Sequence, residues 1–416
     1  MPWNGPVHRS VSVSRALPVP TLRYDMPSPT LLIFVTVFID LIGFGIVLPL
    51  LPSYAASFHV SDTAIGVLVA SFSLMQFLLA PWWGRLSDRI GRRPVLLIGL
   101  AGSALSYLLF GLAGSFWLLL LSRVVAGGMG ATVNVAQAYL ADVSPPDKRA
   151  SAMGLIGAAF GLGFVVGPAL GGISSRWGDA APGLMAAGLS AANFVMAWLW
   201  LPESRHAVPV ETQHLEPGHW TRFLTAFLAV GFSTLAFTVL YVVFPLQLER
   251  ALGYDRHHSA YFFVLIGVVS AIIQGGLIGR MVRKVGERSL MAAGGLCMGL
   301  GFAMLPSVLT PPGALGSLLV ALIAIATGSA MISPSAAAYV SRVASHDEQG
   351  RALGLLQSVA SVARIAGPVS AGVAATHLGP GHAFLAAAAV AGLGGVSAAL
   401  GRGRMPLPVA GLEGRK

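Results

Sequence analysis

Long apolar stretches alternate with short polar ones along the whole chain. The apolar runs fall at about 30–51, 63–83, 95–113, 116–140, 150–173, 183–201, 221–248, 259–280, 289–309, 314–340, 351–376 and 383–401. Each is about 18 or more residues long with few charges, which is what an α-helix needs to cross a bilayer. The pattern predicts an all-α polytopic membrane protein with twelve transmembrane helices. The longest polar interruption, LPESRHAVPVETQHLEPGHWTR at 201–222, divides the spans six and six. The expected organisation is a tail over 1–29, a six-helix bundle over 30–201, a linker over 202–220, a second bundle over 221–401 and a tail over 402–416.

The two halves resemble each other. YLADVSPPDKRASAMGL at 139–155 aligns with YVSRVASHDEQGRALGL at 339–355, pairing Tyr139 with Tyr339, Asp147 with Asp347 and Gly154 with Gly354. The same offset of 200 pairs Gly167-Pro168 with Gly367-Pro368, and an offset of 195 pairs GRLSDRIGRR (84–93) with GRMVRKVGER (279–288). Parallel repeats of this kind place a binding site at their interface near mid-membrane and let one bundle rock against the other.

Composition agrees with the spans: 55% of residues are apolar and only 10% charged, too few charges for a water-facing surface. The net charge of +10 does not point to nucleic acid, because 21 of the 26 Lys and Arg lie in the tails and in alternate loops on the N-terminal side. That bias predicts a cell-membrane protein with both termini cytoplasmic. Residues 1–29 carry Arg9, Arg15 and Arg23 among Pro and Ser, without the apolar core and cleavage site of a signal peptide. The single cysteine, Cys297, rules out a disulfide, a CxxC pair and a thiolate zinc site within one chain. His206, His214 and His219 lie in a proline-rich stretch that reads as a solvated loop, so no metal and no cofactor is expected.

Three motifs carry the functional argument. GRLSDRIGRRPVLL at 84–97 joins spans two and three; its glycines permit a tight turn between packed helices, and its bases hold the loop on the cytoplasmic side. In GLGFVVGPALGG at 161–172, Gly163, Gly167, Gly171 and Gly172 allow close helix contact, and Pro168 opens the hydrogen-bond ladder. The third is the pair DLIGFGIVLPLLP at 40–52 and RVVAGGMGAT at 123–132. On these residues the chain resembles the major facilitator superfamily, in particular its twelve-span drug/proton antiporter branch, and within it the tetracycline exporters. The loop fits that family's G-x-L-x-D-R-x-G-R-R, and 161–172 fits the G-x-x-x-G-P-x-x-G-G of its antiporters. The second copy, IAGPVSAG at 365–372, is degenerate.

The resemblance implies a cytoplasmic gate of Gly84, Asp88, Arg89, Gly91, Arg92, Arg93 and Asp142. In it Asp88 faces the start of helix eleven, around Asp347 to Arg351, and Arg92 pairs with Asp142. It also implies a role in proton coupling for the helix-four arginine, Arg123.

Asp40 lies ten residues into the first span, where a charge costs roughly 2.5–3.5 kcal/mol on insertion scales. Burial disfavours an ionised carboxylate and a nearby guanidinium favours it, so alternating exposure switches proton affinity. Asp40 is the only acid deep within a span and is expected to carry a proton, with Arg123 as partner. The plainer alternative is a fixed ion pair that fastens helices one and four. Pro49 and Pro52, at the outer end of the span, either loosen a gate or end the helix. Arg364 adds a buried cation, so that with Asp40, Arg123 and Arg364 ionised the core carries a net charge of +1. A neutral, zwitterionic or anionic amphiphile is therefore the expected cargo. Gln76, Asn134, Gln137, Phe160, Tyr241, Gln247, Gln274, Gln357 and Arg364 are the candidate cavity residues, with Phe44, Phe237 and Phe244 as apolar neighbours. Each polar one taken separately is more often an interhelical hydrogen bond than a ligand, and the aromatic ones suit core packing equally well.

The expected function is alternating-access transport, as a proton-coupled antiporter that exports small drug-like or tetracycline-like amphiphiles. The alternative is a proton-coupled importer of a small metabolite or sugar. An enzyme would need paired carboxylates or a His/Cys/Asp cluster at depth, and an ATP-driven pump a G-x-x-x-x-G-K-[ST] loop, and the chain has neither. The expected partners are the small-molecule substrate, protons and the lipid bilayer, with no nucleic acid, and the chain is expected to act as a monomer.

Overall fold

Serine side chains start three of the spans. Ser28 Oγ accepts from Leu31 N–H at 3.3 Å, Ser61 Oγ from Ala64 N–H at 3.2 Å and Ser115 Oγ from Leu118 N–H at 3.3 Å. Each satisfies a donor that the first turn of a helix leaves free. The computed structural model describes residues 28–130, 132–145, 149–204, 222–310, 315–344 and 348–400. Both tails up to these bounds, most of the linker, and Asp347 lie outside the described residues.

The first half comprises α1 (Pro29–Val47), the short α2 (Leu51–Ala56), α3 (Asp62–Ile90), α4 (Arg92–Gly111), α5 (Phe116–Gly128), α6 (Thr132–Val143), α7 (Arg149–Ser174) and α8 (Ala181–Trp200). The second half comprises α9 (Leu224–Leu252), α10 (Arg256–Ile272), a π-helical turn (Ile273–Leu277), α11 (Ile278–Val285), α12 (Glu287–Val308), α13 (Leu315–Val343), α14 (Gln349–His377) and α15 (Pro380–Leu400). Among the described residues twelve helical stretches are long and apolar enough to cross a membrane, and there is no strand.

Two details depart from an unbroken span. The first helix stops at Val47; Pro49 lies in the turn that follows and Pro52 in the first turn of α2, so these prolines end the span. The fourth span breaks between α5 and α6 around Met129 and Gly130. Carbonyls freed by such a break need donors inside a membrane. Helix α3 supplies two, Trp83 Nε1 to the Gly128 carbonyl at 2.6 Å and Gln76 Nε2 to the Gly130 carbonyl at 3.1 Å.

The helices form two bundles. Helix α1 packs on α7 and α8, and α4 on α5 and α8; in the second half α12 packs on α13 and α15, and α9 on α14 and α15. The halves meet along two seams, α3 with α14 and α7 with α10. The near face carries Ser28, Ser204, Arg222 and Leu400, and the far face lies opposite. Toward the near face each half keeps its own apolar core: Leu41, Trp83, Leu100 and Tyr139 in the first, Phe223, Met291, Tyr339 and Leu356 in the second. Toward the far face one core runs across both, joining Ile46, Leu50 and Tyr54 to Val239, Val243 and Phe262.

Candidate functional site

The continuous far-face core closes the space between the bundles at that end. Arg250 at the end of α9 donates both guanidinium nitrogens to Asp62 at the start of α3, at 2.8 and 2.9 Å. Thr63 N–H donates to Thr376 Oγ1 at 3.1 Å. On the near side the seams part: Gly154, Gly157 and Gly161 on α7 and Gly354 on α14 border open space, and Asp88 is 62% exposed. The site is thus a crevice that opens on the near face and is sealed at the far face.

Asp40 lies midway along α1, and its Oδ1 is buried without a hydrogen-bond partner among the described residues. The hydroxyls of Ser103 on α4 and Thr132 on α6 face the carboxyl, without closing a bond that satisfies Oδ1 or Thr132 Oγ1. Arg123, on α5, is 3% exposed; its Nε donates weakly to Ser122 Oγ at 3.4 Å and its Nη2 has no partner. The fixed Asp40–Arg123 ion pair, the plainer alternative, is therefore not formed in this conformation. Tyr107 of α4 stands between the two. Its ring centre lies 6.0 Å from Arg123 Cζ, and its edge presses on Gly43, one turn along α1 from Asp40. A Cβ on Gly43 would meet Tyr107 Cε2 at 2.8 Å, and the charges of both Asp40 and Arg123 act on the phenol. Phe110 covers the guanidinium from another side at 5.7 Å.

The glycines of 161–172 set the position of α1. A Cβ on Gly163 would meet Leu41 Cβ at 2.7 Å, one on Gly167 the Gly45 Cα at 2.6 Å, and one on Gly171 the Ile46 carbonyl oxygen at 2.7 Å. All three lie on the contact of α7 with α1, beside Asp40. Gly172 faces the second half, where a Cβ would meet Ala260 Cβ at 3.2 Å. Pro168 is buried within α7. The motif therefore joins the Asp40 helix to the α7–α10 seam.

The other candidates separate into groups. Gln76 is committed to the Gly130 carbonyl. Asn134, Gln137, Phe160, Gln274 and Gln357 are exposed, Phe160 stacking on Phe164 at 6.4 Å and Gln274 lying in the π-helical turn. Gln247 is half-buried, as is Tyr241, which stacks on Phe263 at 5.6 Å and stands beside Arg364. Arg364 Nη2 donates to Ser361 Oγ at 2.9 Å, and among the described residues no carboxylate acts on it. Phe244 is fully buried between Phe262 and Phe263, which makes it core, not cavity wall.

At the near face Gly91 turns the chain from α3 into α4 with φ +100°. Arg92 bonds Asp142 at 3.1 Å, Asp88 at 2.6 Å and Ser87 Oγ at 2.7 Å. Asp88 is thus held within its own half, and the expected latch to the start of helix eleven is open, because the near ends of the bundles are apart. Arg93 donates to the Trp198 carbonyl, Arg89 is exposed, and the Gly84 carbonyl accepts from Ser87 Oγ at 2.8 Å. Sequence reasoning missed Glu203, whose carboxylate accepts from the backbone N–H groups of Arg92 at 2.9 Å and Arg93 at 3.2 Å, capping α4. The repeat shows a charge-reversed counterpart, Glu287 with Arg342 at 2.6 Å beside Gly286 at φ +79°.

Two six-helix bundles around a crevice with an acid at mid-membrane define a multi-pass membrane transporter. The Major Facilitator Superfamily model matches residues 33–311 and, in a second match, 226–415. The chain is 31% identical over 365 residues to the tetracycline resistance protein, class B, of Escherichia coli, covering 85% of this chain and 90% of that one. It is 28% identical over 349 residues to multidrug resistance protein 2 of Bacillus subtilis, covering 81% and 86%. The crystal structure of the human organic anion transporter MFSD10 (TETRAN) superposes with a TM-score of 0.67 at 24% identity, covering 89% of this chain and 100% of that one. The chain belongs to the major facilitator superfamily, and its fold and relatives are those of transporters.

Proposed function

We propose that the protein is a proton-coupled antiporter that exports small amphiphilic compounds from the cell by alternating access. The observation that carries this reading is the buried, unpartnered carboxyl oxygen of Asp40 on the helix that the α7 glycines hold. The names of the tetracycline and multidrug resistance relatives support export. With 21 of 26 basic residues on the near side, that face is the cytoplasmic one, and the conformation is open to the cytoplasm. Cargo enters the crevice and displaces a proton from Asp40; the near ends then close, Asp88 reaches helix eleven, and the far-face core parts. Arg364, with no acid to balance it among the described residues, favours neutral, zwitterionic or anionic cargo, chelated metal complexes included.

The direct test is transport in everted vesicles under an imposed proton gradient. Uptake of tetracycline-like compounds that collapses with the gradient supports export by proton exchange, and uptake that ignores it refutes the coupling. Ethidium, a permanent monocation, is expected to be a poor substrate; transport of it as fast as that of a zwitterion would overturn the assignment of cargo charge.

Tyr107 is expected to tune the coupling. Tyr107→Phe keeps the ring against Gly43 and Arg123 and removes only the hydroxyl. The charges of Asp40 and Arg123 both act on this phenol, so its loss is expected to slow exchange and shift its pH dependence with cargo affinity unchanged. Exchange at the wild-type rate over the whole pH range would remove the phenol from the pathway.

A further inference from the structure

The turn between α9 and α10 carries a side-chain cluster that transport does not use. Helix α9 ends at Leu252, Gly253 takes the left-handed conformation at φ +66°, and Tyr254 N–H closes on the Leu248 carbonyl at 3.1 Å. Asp255 then occupies the N-cap position of α10 in extended conformation. An aspartate there ordinarily accepts a backbone N–H from two or three residues on. Asp255 does not make it. Its carboxylate turns instead to two imidazoles, with Oδ1 at 2.9 Å from His257 Nε2 and against His258 Nδ1. The two rings are 4.7 Å apart, and the three potential ligand atoms lie within 4.8 Å of one another.

We propose that Asp255, His257 and His258 form a binding site for a divalent transition-metal ion of the zinc class. Two imidazole nitrogens and one carboxylate oxygen are a borderline-soft donor set that suits zinc, cobalt or nickel and does not suit magnesium or calcium, which take oxygen ligands. Zinc–ligand bonds of about 2.0–2.2 Å set tetrahedral donor atoms about 3.3–3.6 Å apart. His257 Nε2 stands 2.9 Å from the Asp255 oxygen, His258 Nδ1 stands closer, and no pair is more than 4.8 Å apart, so side-chain rotation alone completes the set. The Asp255 carboxylate offsets part of the charge of the ion. The frame is preorganised: Tyr254 packs on His258 with ring centres 5.3 Å apart and on Phe262 at 5.9 Å. The His257 backbone lies against Gly172 of α7, where a Cβ would meet its carbonyl oxygen at 3.3 Å. Water fills the remaining coordination position. The three residues follow one another as D-x-H-H, a spacing the sequence reading passed over.

The experiment is a cobalt titration of the full chain, purified on a tag without histidine and stripped with chelator. Visible d–d absorption reports tetrahedral coordination, and calorimetry with zinc gives the stoichiometry. Wild type is expected to bind one equivalent that His257→Gln/His258→Gln loses, whereas His206→Gln/His214→Gln/His219→Gln, in the linker, retains it. Unfolding temperatures in chelator check that the variants are folded. If the double variant does not fold, His258→Gln alone reports the same loss, because its ring is exposed. Equal stoichiometry and affinity in wild type and the cluster variant, or no cobalt spectrum in wild type, overturns the site.

Discussion

Asp40→Asn is expected to abolish proton-driven export while the protein still inserts and folds. The substitution is nearly isosteric and replaces an ionisable group by a neutral one, so the roughly 2.5–3.5 kcal/mol that a mid-membrane charge costs no longer burdens insertion. Packing is unchanged: α1 still lies against α7 through Gly163, Gly167 and Gly171. What is lost is the titratable site, and among the described residues no other acid lies deep in a span to replace it. Cargo-induced proton release from purified protein is expected to vanish, and accumulation against a gradient with it. Downhill exchange of cargo for cargo, which needs the rocking motion but no proton, persists. Proton release from Asp40→Asn equal to that of wild type would end the case for this carboxylate.

The spans were legible because a helix that crosses a bilayer must be apolar along its whole length, and that shows in any window of the chain. The repeat was legible too, and it carries more than symmetry. The alignments set Arg92 over Glu287 and Asp142 over Arg342, and both pairs form, with the charges exchanged. The site was less legible, since apolarity all round a helix hides which residues face one another. Asp40 and Arg123 stand out as charges in lipid, but nothing in sequence says that Tyr107 comes between them. That depends on Gly43 admitting an aromatic edge from α4. Gln76 looked like a cavity residue because a polar side chain in a span needs a reason; its reason is a broken helix, visible only once α5 and α6 separate. Glu203 was hidden in what read as the start of a linker, although its carboxylate holds the first turn of α4.

Gly66→Leu is expected to hold the transporter open at the far face and stop transport altogether. Gly66 lies near the start of α3, where the halves touch: a Cβ there would strike the Pro368 carbonyl oxygen of α14 and come within 3.0 Å of its carbon and 3.3 Å of Val369 Cα. These are backbone atoms, which cannot rotate away as a side chain would. Overpacking of a tight contact costs about 1–3 kcal/mol, and at the upper end, with tenfold per 1.4 kcal/mol, the population closed at the far face falls about a hundredfold. The ion pair at the same end carries less. Arg250 is about half exposed in its bond to Asp62, and such pairs are worth about 0.2–1 kcal/mol, so Arg250→Gln shifts the balance at most about fivefold. The seal therefore depends on close backbone approach more than on charge, and the two variants separate these contributions. Spin labels at His59 and Leu378, in a Cys297→Ser background, are expected to move apart in Gly66→Leu and only slightly in Arg250→Gln. Gly66→Ala falls between them, since a single methyl already meets the carbonyl. A distance distribution in Gly66→Leu that matches wild type, with transport intact, would show that the far face does not need this contact to close, and the picture of two bundles rocking about it would have to be abandoned.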